Sequence, residues 1–483
     1  MRCVILLSNA KRQLTMKTKV IIAFGLALAG LPTVRADMVT DWNAHLEQAI
    51  FDTAQPVPAQ ARFAAIMHLA VFDAVNGIAR KYRPYYVTET APPGARQEAA
   101  AAQAAYTVLK ALYPSQSDVL DEQLAASLAR IPGHQGHSQS IRRGRDWGEY
   151  VAHQLLDLRS ADGWSTPPQP YYGASDPGVW RSIPTPGFPD GTLPAVVPQL
   201  SILAPFAMAH PAQFRPGPPY APALTEALAS AAYAADLEEV KAIGRVDSAV
   251  RTADQTDLAR LWQAVGPVDE NRAARSVVPA RNNLVDNARL FALLNMATCD
   301  ALIASMESKF VYHLWRPHHA IRLAHTDGNP ATAADPAWTA LILAPRFPEY
   351  ISNHSSLTAA FMRVLERELG DNHTFTISSP NYPGFTWTFD RCSDATAQVK
   401  EARIWAGIHF RHACEVGEQV GLTIADYVLD NFLTPLSLPT PVTMDKSAST
   451  AAVPLGEPTT AARWSRPARP AALRSWAPSR GCC

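Results

Sequence analysis

Apolar residues recur at helical spacing along most of this chain. Residues 41–158 are predicted to form helices. Within them, residues 61–72 are apolar on nearly every face, which indicates a buried helix, and residues 98–112 are rich in alanine, the best helix former. The periodicity returns at residue 223 and continues, with breaks, to residue 432. The pattern therefore predicts an all-α fold.

Two stretches depart from this helical pattern. Residues 374–377 and 385–389 alternate apolar and polar positions, so we predict that they pair as a short hairpin. Residues 162–222 are crowded with proline, glycine, tyrosine and tryptophan. A loop of this length inside a compact domain is usually functional or covers the core. We therefore expect an irregular strap between two helical regions.

The start of the chain has the composition of an export signal. A basic segment precedes the apolar stretch 20–31, and Val34-Arg35-Ala36 offers a small-x-small cleavage site. Met16 would open such a signal by itself. The apolar stretch is short for a bilayer span, so we expect cleavage rather than anchoring. The mature protein is thus predicted to be soluble, either periplasmic or secreted, without stable membrane insertion.

The rest of the chain divides by composition. The last stretch is rich in Ala, Pro, Ser, Thr and Arg without a periodic apolar face, which is typical of a disordered tail. The predicted organisation is a signal peptide at 1–36, an N-terminal helical region with the strap at 37–222, a C-terminal helical bundle at 223–436 and the tail at 437–483.

Composition excludes several function classes. Hydrophobic residues make up 47% of the chain, enough for large cores, and 43 basic residues balance 43 acidic ones. A neutral chain without a basic run is not expected to bind nucleic acid as its main partner. The six cysteines form no CxxC pair, which argues against a zinc finger or a thioredoxin-like site. Cys392 and Cys414 could form a disulfide in an oxidising compartment, although the sequence does not decide this.

Histidines concentrate in one part of the chain. Eight of the fourteen lie in residues 309–412. The first segment there runs from Lys309 to Arg316-Pro317; seven helical residues would place both cations about 20° apart on one face. They could then converge on one anion, with Pro317 placing Arg316 at a helix end. The alternative interpretation is two solvated cations on a surface turn.

Two further segments in this window could complete a site. Ser352 or Asn353 can cap the helix that follows, and His354 at that anion-binding end could exchange a proton with a bound anion. Arg403 and His409 would lie about 120° apart on an ideal helix, and share a target only if the chain bends, for which Gly407 is the obvious place. Taken singly, the Ser352 segment is better explained as an ordinary capped helix, and the alternative for the Arg403 segment is a buried helix start with a core histidine.

The order of the three segments resembles the vanadium haloperoxidases and the related secreted acid phosphatases of the type 2 phosphatidic acid phosphatase superfamily. The family's first motif is matched without change. The second motif is matched at Ser352 and His354 but has Ile351 for proline and Asn353 for glycine. Residues 39–43, 214–216, 251–256 and 407–411 also look like the haloperoxidase branch.

The third motif is matched at Arg403 and His409, with Ala402 for serine and Ala413 for aspartate. The change at residue 413 removes the carboxylate that would orient His409, so Glu415 or a backbone carbonyl would have to set its tautomer. The glycine-to-Asn353 change is expected to strain the anion cradle without abolishing it, because asparagine tolerates left-handed geometry.

The resemblance implies a role for each matched residue. The equatorial oxygens of an oxyanion would be bound by Lys309, Arg316 and Arg403, with the Ser352 hydroxyl and the Asn353 backbone N–H completing the cradle. His409 would bind vanadium or attack phosphorus, and His354 would be its acid–base partner. His318 and His319 are further candidates, for which a surface or supporting role is the stronger expectation.

The implied fold is all-α, with two packed helical bundles and the active site in the C-terminal one. The leading function is a vanadium-dependent haloperoxidase that oxidises halide with hydrogen peroxide at a vanadate cofactor. The alternatives are a secreted acid phosphatase, which would hydrolyse a phosphoester through a phosphohistidine without a cofactor, and a non-catalytic periplasmic oxyanion binder.

Overall fold

The computed structural model describes residues 37–132, 138–279 and 282–436. All of these belong to one compact unit that ends at Leu436. The predicted export signal and the predicted tail lie outside the described residues.

Helices dominate the first part of the described chain, as the periodicity predicted. The first helix begins after Asp37, whose carboxylate accepts hydrogen bonds from the Val39 and Thr40 backbone amides and caps the helix. The five helices before the strap are α1 (Met38–Asp52), α2 (Val57–Ala79), α3 (Gln97–Leu112), α4 (Ser117–Ala129) and α5 (Ser138–Ser160).

Helices also make up most of the second part. They are α6 (Leu224–Ala229), α7 (Ala231–Ile243), α8 (Ala253–Ala264), α9 (Pro267–Val277), α10 (Leu284–Tyr312), α11 (Pro317–Arg322), α12 (Asn353–Leu369), α13 (Cys392–Trp405) and α14 (Arg411–Asn431). Short 3-10 turns occur at Pro114–Gln116, Pro198–Ile202 and Ala324–Thr326.

Two bundles share the long central helix α10. In the first bundle α2 packs against α3 and α5, and in the second α12 packs against α13 and α14; α10 lies between α2 and α12. By length and composition α2 and α10 are apolar enough to cross a membrane. Both are instead almost entirely buried within the protein, where their all-round apolar surfaces form the core.

The predicted strap is irregular in the structure. Between residues 161 and 223 it contains one 3-10 turn and no α-helix. It is nevertheless fixed to α10, because the Asp300 carboxylate accepts the backbone N–H groups of Phe206, Ala207 and Met208 at 2.6–2.8 Å. A second attachment is the ion pair between Arg215 and Glu307. The strap is thus an ordered cover over the central helix.

The hairpin prediction is confirmed. Strand β1 (Asn372–Ser378) pairs antiparallel with β2 (Thr386–Arg391), and the hairpin packs against α9 and α13. The suggested disulfide does not form: Cys392, at the start of α13, and Cys414, in α14, are buried free thiols.

Candidate functional site

A cavity of about 180 Å³ lies where α9, α10, α12 and α13 meet. Four of the residues singled out in the sequence line it: Asn353, His354, Arg403 and His409. Most of the remaining wall is apolar, including Val265, Leu302 and Phe347. The other three predicted site residues, Lys309, Arg316 and Ser352, are fully buried behind this wall.

Lys309 and Arg316 do not lie on one helix, contrary to the expectation from their spacing. Helix α10 ends at Tyr312, and His313 takes a left-handed conformation with φ of 51°. Arg316 follows in an extended segment and precedes α11. The two cations still approach each other because both bind backbone carbonyls of residues 347–351: the Lys309 Nζ donates to Glu349 O at 2.8 Å and the Arg316 Nε to Phe347 O at 3.0 Å.

The turn before α12 carries the second motif. Ser352 is the N-cap, as predicted, and its Oγ accepts hydrogen bonds from the Ser355 backbone N–H at 3.4 Å and the Ser355 hydroxyl at 3.0 Å. The hydroxyl therefore serves the helix end and is not part of the cavity wall. Its role in anion binding stays a prediction.

Asn353 is not strained, which corrects the expectation for this glycine-to-asparagine change. It is the first residue of α12 and has no positive φ. At the first position of a helix the backbone is right-handed, so asparagine fits there as well as glycine does. The N–H of this residue has no partner within the helix. The side-chain Nδ2 points to the Met306 sulfur at 3.4 Å. The cradle thus keeps an available amide without a backbone penalty.

A bend places His409 beside Arg316. Helix α13 ends at Trp405, and Gly407 turns the chain with φ of 76°, as the sequence predicted. The Arg316 Nη1 donates to the Ile408 carbonyl at 2.8 Å and lies 3.1 Å from the His409 Nε2. Arg403 stays on the helix, where its Nη atoms bind the Trp262 carbonyl at 3.1 Å and the Gln263 side chain at 2.9 Å.

Several polar atoms at the site lack partners within the described residues. They are the Arg316 Nη2, the Arg403 Nε, the His354 Nε2, the Asn353 Oδ1 and the Glu349 Oε2. An unpaired buried polar group costs about 1–3 kcal/mol, and more when it is charged. Two of the five are guanidinium N–H donors, and Arg403 belongs to the cavity wall, so an anion in the cavity would satisfy at least that donor. The donor set fits an oxyanion such as vanadate or phosphate.

The local charge also favours an anion. Three buried basic side chains, Lys309, Arg316 and Arg403, outnumber the two buried acidic ones, Glu349 and Glu270, around this site. Burial lowers the pKa of each cation, to about 10 for either arginine, so the arginines stay charged at neutral pH. Burial is the main cause that holds the pKa of His354 and His409 well below the usual range, and the neighbouring cations act in the same direction. Both imidazoles are therefore neutral.

The family model described as the VCPO second helical-bundle domain matches residues 289–437. The vanadium chloroperoxidase of Curvularia inaequalis is 35% identical over 95 residues, which cover 18% of this chain and only 15% of that protein. Over these residues the chain is similar to the vanadium haloperoxidases. The similarity fits the order of the three motifs and the unpaired donors around His409.

Solved structures of haloperoxidases share the fold of this chain. A bacterial vanadium-dependent iodoperoxidase superposes with a TM-score of 0.69 at 23% identity, covering 83% of this chain and 98% of that one. A bacterial vanadium-dependent chloroperoxidase in its apo form gives a TM-score of 0.61 at 19% identity, covering 77% and 93%. At these identities the likeness concerns the fold, here the two packed helical bundles.

Glu349 is the site residue that sequence reasoning missed. Its Oε1 accepts the Phe410 backbone N–H at 3.0 Å and lies 2.8 Å from the His409 Nδ1. Because that oxygen acts as an acceptor, His409 donates through Nδ1, and its Nε2 is then the acceptor that faces the Arg316 Nη1 at 3.1 Å. Glu415, the carboxylate favoured from the sequence, is exposed and does not orient His409. The signal was a glutamate three residues before the Ser352 cap.

The other two candidate histidines lie outside the cavity. His319 is buried with its Nε2 2.7 Å from Asp190, a strap residue that also pairs with Arg181. His318 stacks edge-on against His319. Neither lines the wall around His409. His319 therefore attaches α11 to the strap, and His318 packs against His319.

The bend at Gly407 gives a stability prediction. An alanine there would need a left-handed backbone and its methyl would overlap the Gly244 carbonyl oxygen. We expect Gly407→Ala to lower the free energy of unfolding by about 2–4 kcal/mol, the sum of the conformational and overpacking costs. Gly328→Ala is the control, since φ there is 73° but the space is open; it should cost about 1 kcal/mol. Equal losses in urea denaturation would contradict the close approach.

Proposed function

We propose that this protein is a vanadium-dependent haloperoxidase, which oxidises halide with hydrogen peroxide at a vanadate held by His409. The observation that carries the proposal is His409 in the cavity wall, oriented by Glu349 through Nδ1, beside Arg403 with an unpaired guanidinium N–H. The match of residues 289–437 to the VCPO second helical-bundle domain and the haloperoxidase relatives support it.

Each residue of the site has a defined task in this proposal. Arg316 and Arg403 would donate their unpaired N–H groups to the vanadate oxygens, and the Asn353 backbone amide lies at the same helix end. Lys309, behind the wall, holds the 349–351 backbone in place. Bound vanadate would supply Lewis acidity that activates hydrogen peroxide toward halide without a change in oxidation state.

His354 is the proton carrier of the site. Its ring bonds to the Val265 backbone, and its Nε2 faces the cavity without a partner. A neutral imidazole with one free nitrogen can take a proton from hydrogen peroxide and return it to the oxygen that leaves as water or hydroxide. The apolar walls around it limit the entry of water.

The size of the cavity favours small substrates. Pockets for drug-sized molecules usually hold 300–1,000 Å³, whereas this cavity holds about 180 Å³. Peroxide and halide fit within it, while the leaving alcohol of a phosphoester would have to extend out of the mouth. The same donors would nevertheless bind phosphate, so an acid phosphatase with a His409 phosphohistidine is the alternative that the experiment must separate.

The test is to measure halogenation and phosphoester hydrolysis side by side, with and without orthovanadate. Protein stripped with chelator at low pH and then given vanadate, peroxide and bromide should brominate a phenolic dye, and phosphate should suppress the signal by competing for the same cations. A reaction with vanadate but no protein sets the background. Phosphoester hydrolysis blocked by low vanadate, without bromination, would replace this proposal with the phosphatase, since five-coordinate vanadate mimics its transition state.

A further inference from the structure

A second carboxyl group lies in the wall of the same cavity. Glu270, in the first turn of α9, is 2% exposed and lines the cavity together with His354, Arg403 and His409. Its Oε1 accepts a hydrogen bond from the Thr358 hydroxyl at 2.6 Å. Neither the motifs nor the proposed chemistry uses this glutamate.

Glu270 has no cationic partner within the described residues. The arginines of its own helix are engaged elsewhere: Arg272 pairs with Glu47 and Asp269, and Arg275 pairs with Glu47. Arg403, across the cavity, donates to Trp262 and Gln263. A buried carboxylate without a cation or a full set of donors is costly, which favours the neutral acid.

An anion and a Glu270 carboxylate would have to share a very small space. A sphere of 180 Å³ is about 7 Å across, so an anion in the cavity lies within several ångströms of every wall group. Repulsion between two unit charges at about 7 Å, at an effective dielectric constant of about 20, weakens binding by roughly tenfold to fiftyfold. The neutral acid imposes no such penalty.

We propose that Glu270 is the protonation gate of this cavity: its neutral acid admits the anionic substrate, and its carboxylate excludes that anion. The identification of the anion as halide rests on the proposed function. The gating itself depends only on the cavity and on the chemistry of its wall.

The protonation state of Glu270 changes near neutral pH. Burial raises the pKa of Glu270 to about 7, Asp269 acts in the same direction, and the Thr358 hydrogen bond opposes both. Below that pH the acid is neutral and the cavity accepts anions, and above it affinity falls. Charged and titratable groups lie around this region on each packed element. They are Glu47 of α1, Asp269, Arg272 and Arg275 of α9, Lys309 of α10, Arg316, His354 of α12, Arg403 of α13, and the His409–Glu349 pair.

The experiment measures sulfate binding by calorimetry at pH 6 and pH 8.5, because sulfate keeps its charge across that range. Wild-type protein should lose at least about ten times more affinity between the two pH values than Glu270→Gln, which should bind at pH 8.5 almost as well as at pH 6. Contributions of Glu349 and the two histidines are common to both proteins and cancel in this comparison. Glu415→Gln, an exposed glutamate of α14, should behave as wild type.

A second variant keeps the test decisive if Glu270→Gln folds poorly. Thr358→Val removes the donor that stabilises the carboxylate, so at pH 7.5 it should bind sulfate several-fold more tightly than wild type. An equal pH dependence in wild type and Glu270→Gln, or no sulfate binding at pH 6, would overturn the gate. Because this readout needs neither vanadate nor halogenation, a failed bromination assay with an intact sulfate response would refute the proposed function alone.

Discussion

Replacement of His409 by alanine is expected to lower turnover by more than about 100-fold. The side chain lines the cavity, and it is oriented by Glu349 through Nδ1. Loss of partners that only orient such a histidine already costs about 10–100-fold, so loss of the imidazole itself should cost more. The steady-state rate of dye bromination with saturating vanadate, peroxide and bromide measures the effect.

The control for this variant is His325→Ala, which removes an exposed histidine of the same segment of the chain. It should retain wild-type turnover. Both variants should keep the helical circular dichroism of the parent, because His409 lies in a bend between α13 and α14 and supports no helix. Substantial activity in folded His409→Ala would remove this residue from the centre of the site under either chemistry.

Glu349→Gln is expected to weaken vanadate affinity by about 10–100-fold, the usual cost of losing a carboxylate that orients a metal-binding histidine. The Oε1 of Glu349 accepts from both the His409 Nδ1 and the Phe410 amide. The glutamine side chain keeps one oxygen that accepts a hydrogen bond, but it lacks the negative charge that faces Lys309 and Arg316. Calorimetric titration with orthovanadate measures the loss directly, without reference to turnover.

Glu415→Gln is the matched control, since this exposed glutamate is the carboxylate that the sequence alone favoured for His409. It should leave vanadate affinity unchanged. A thermal melt of both variants separates orientation from stability, because removal of a charge beside buried cations also destabilises the fold. Full vanadate affinity in Glu349→Gln, or a loss of affinity confined to Glu415→Gln, would show that Glu349 does not orient His409.

Local patterns determined the secondary structure of this protein. Helical periodicity, the proline-rich composition of the strap and the alternation at β1 and β2 each depend on residues within one or two turns of each other. The Ser352 cap and the Gly407 bend were predicted for the same reason: a cap and a left-handed turn depend on side chains and backbone that are adjacent in sequence. The resemblance added the two-bundle fold, which the family comparisons bear out.

Tertiary structure decided how the site is assembled. Spacing suggested that Lys309 and Arg316 share a helix face, yet they meet because both bind the carbonyls of residues 347–351. Glu349, not Glu415, orients His409 across 60 residues of sequence. Glu270 joins the cavity only because α9 packs beside α12. A single sequence records which residues are available, whereas contacts between distant segments, and the burial that shifts their pKa values, arise only when the helices pack.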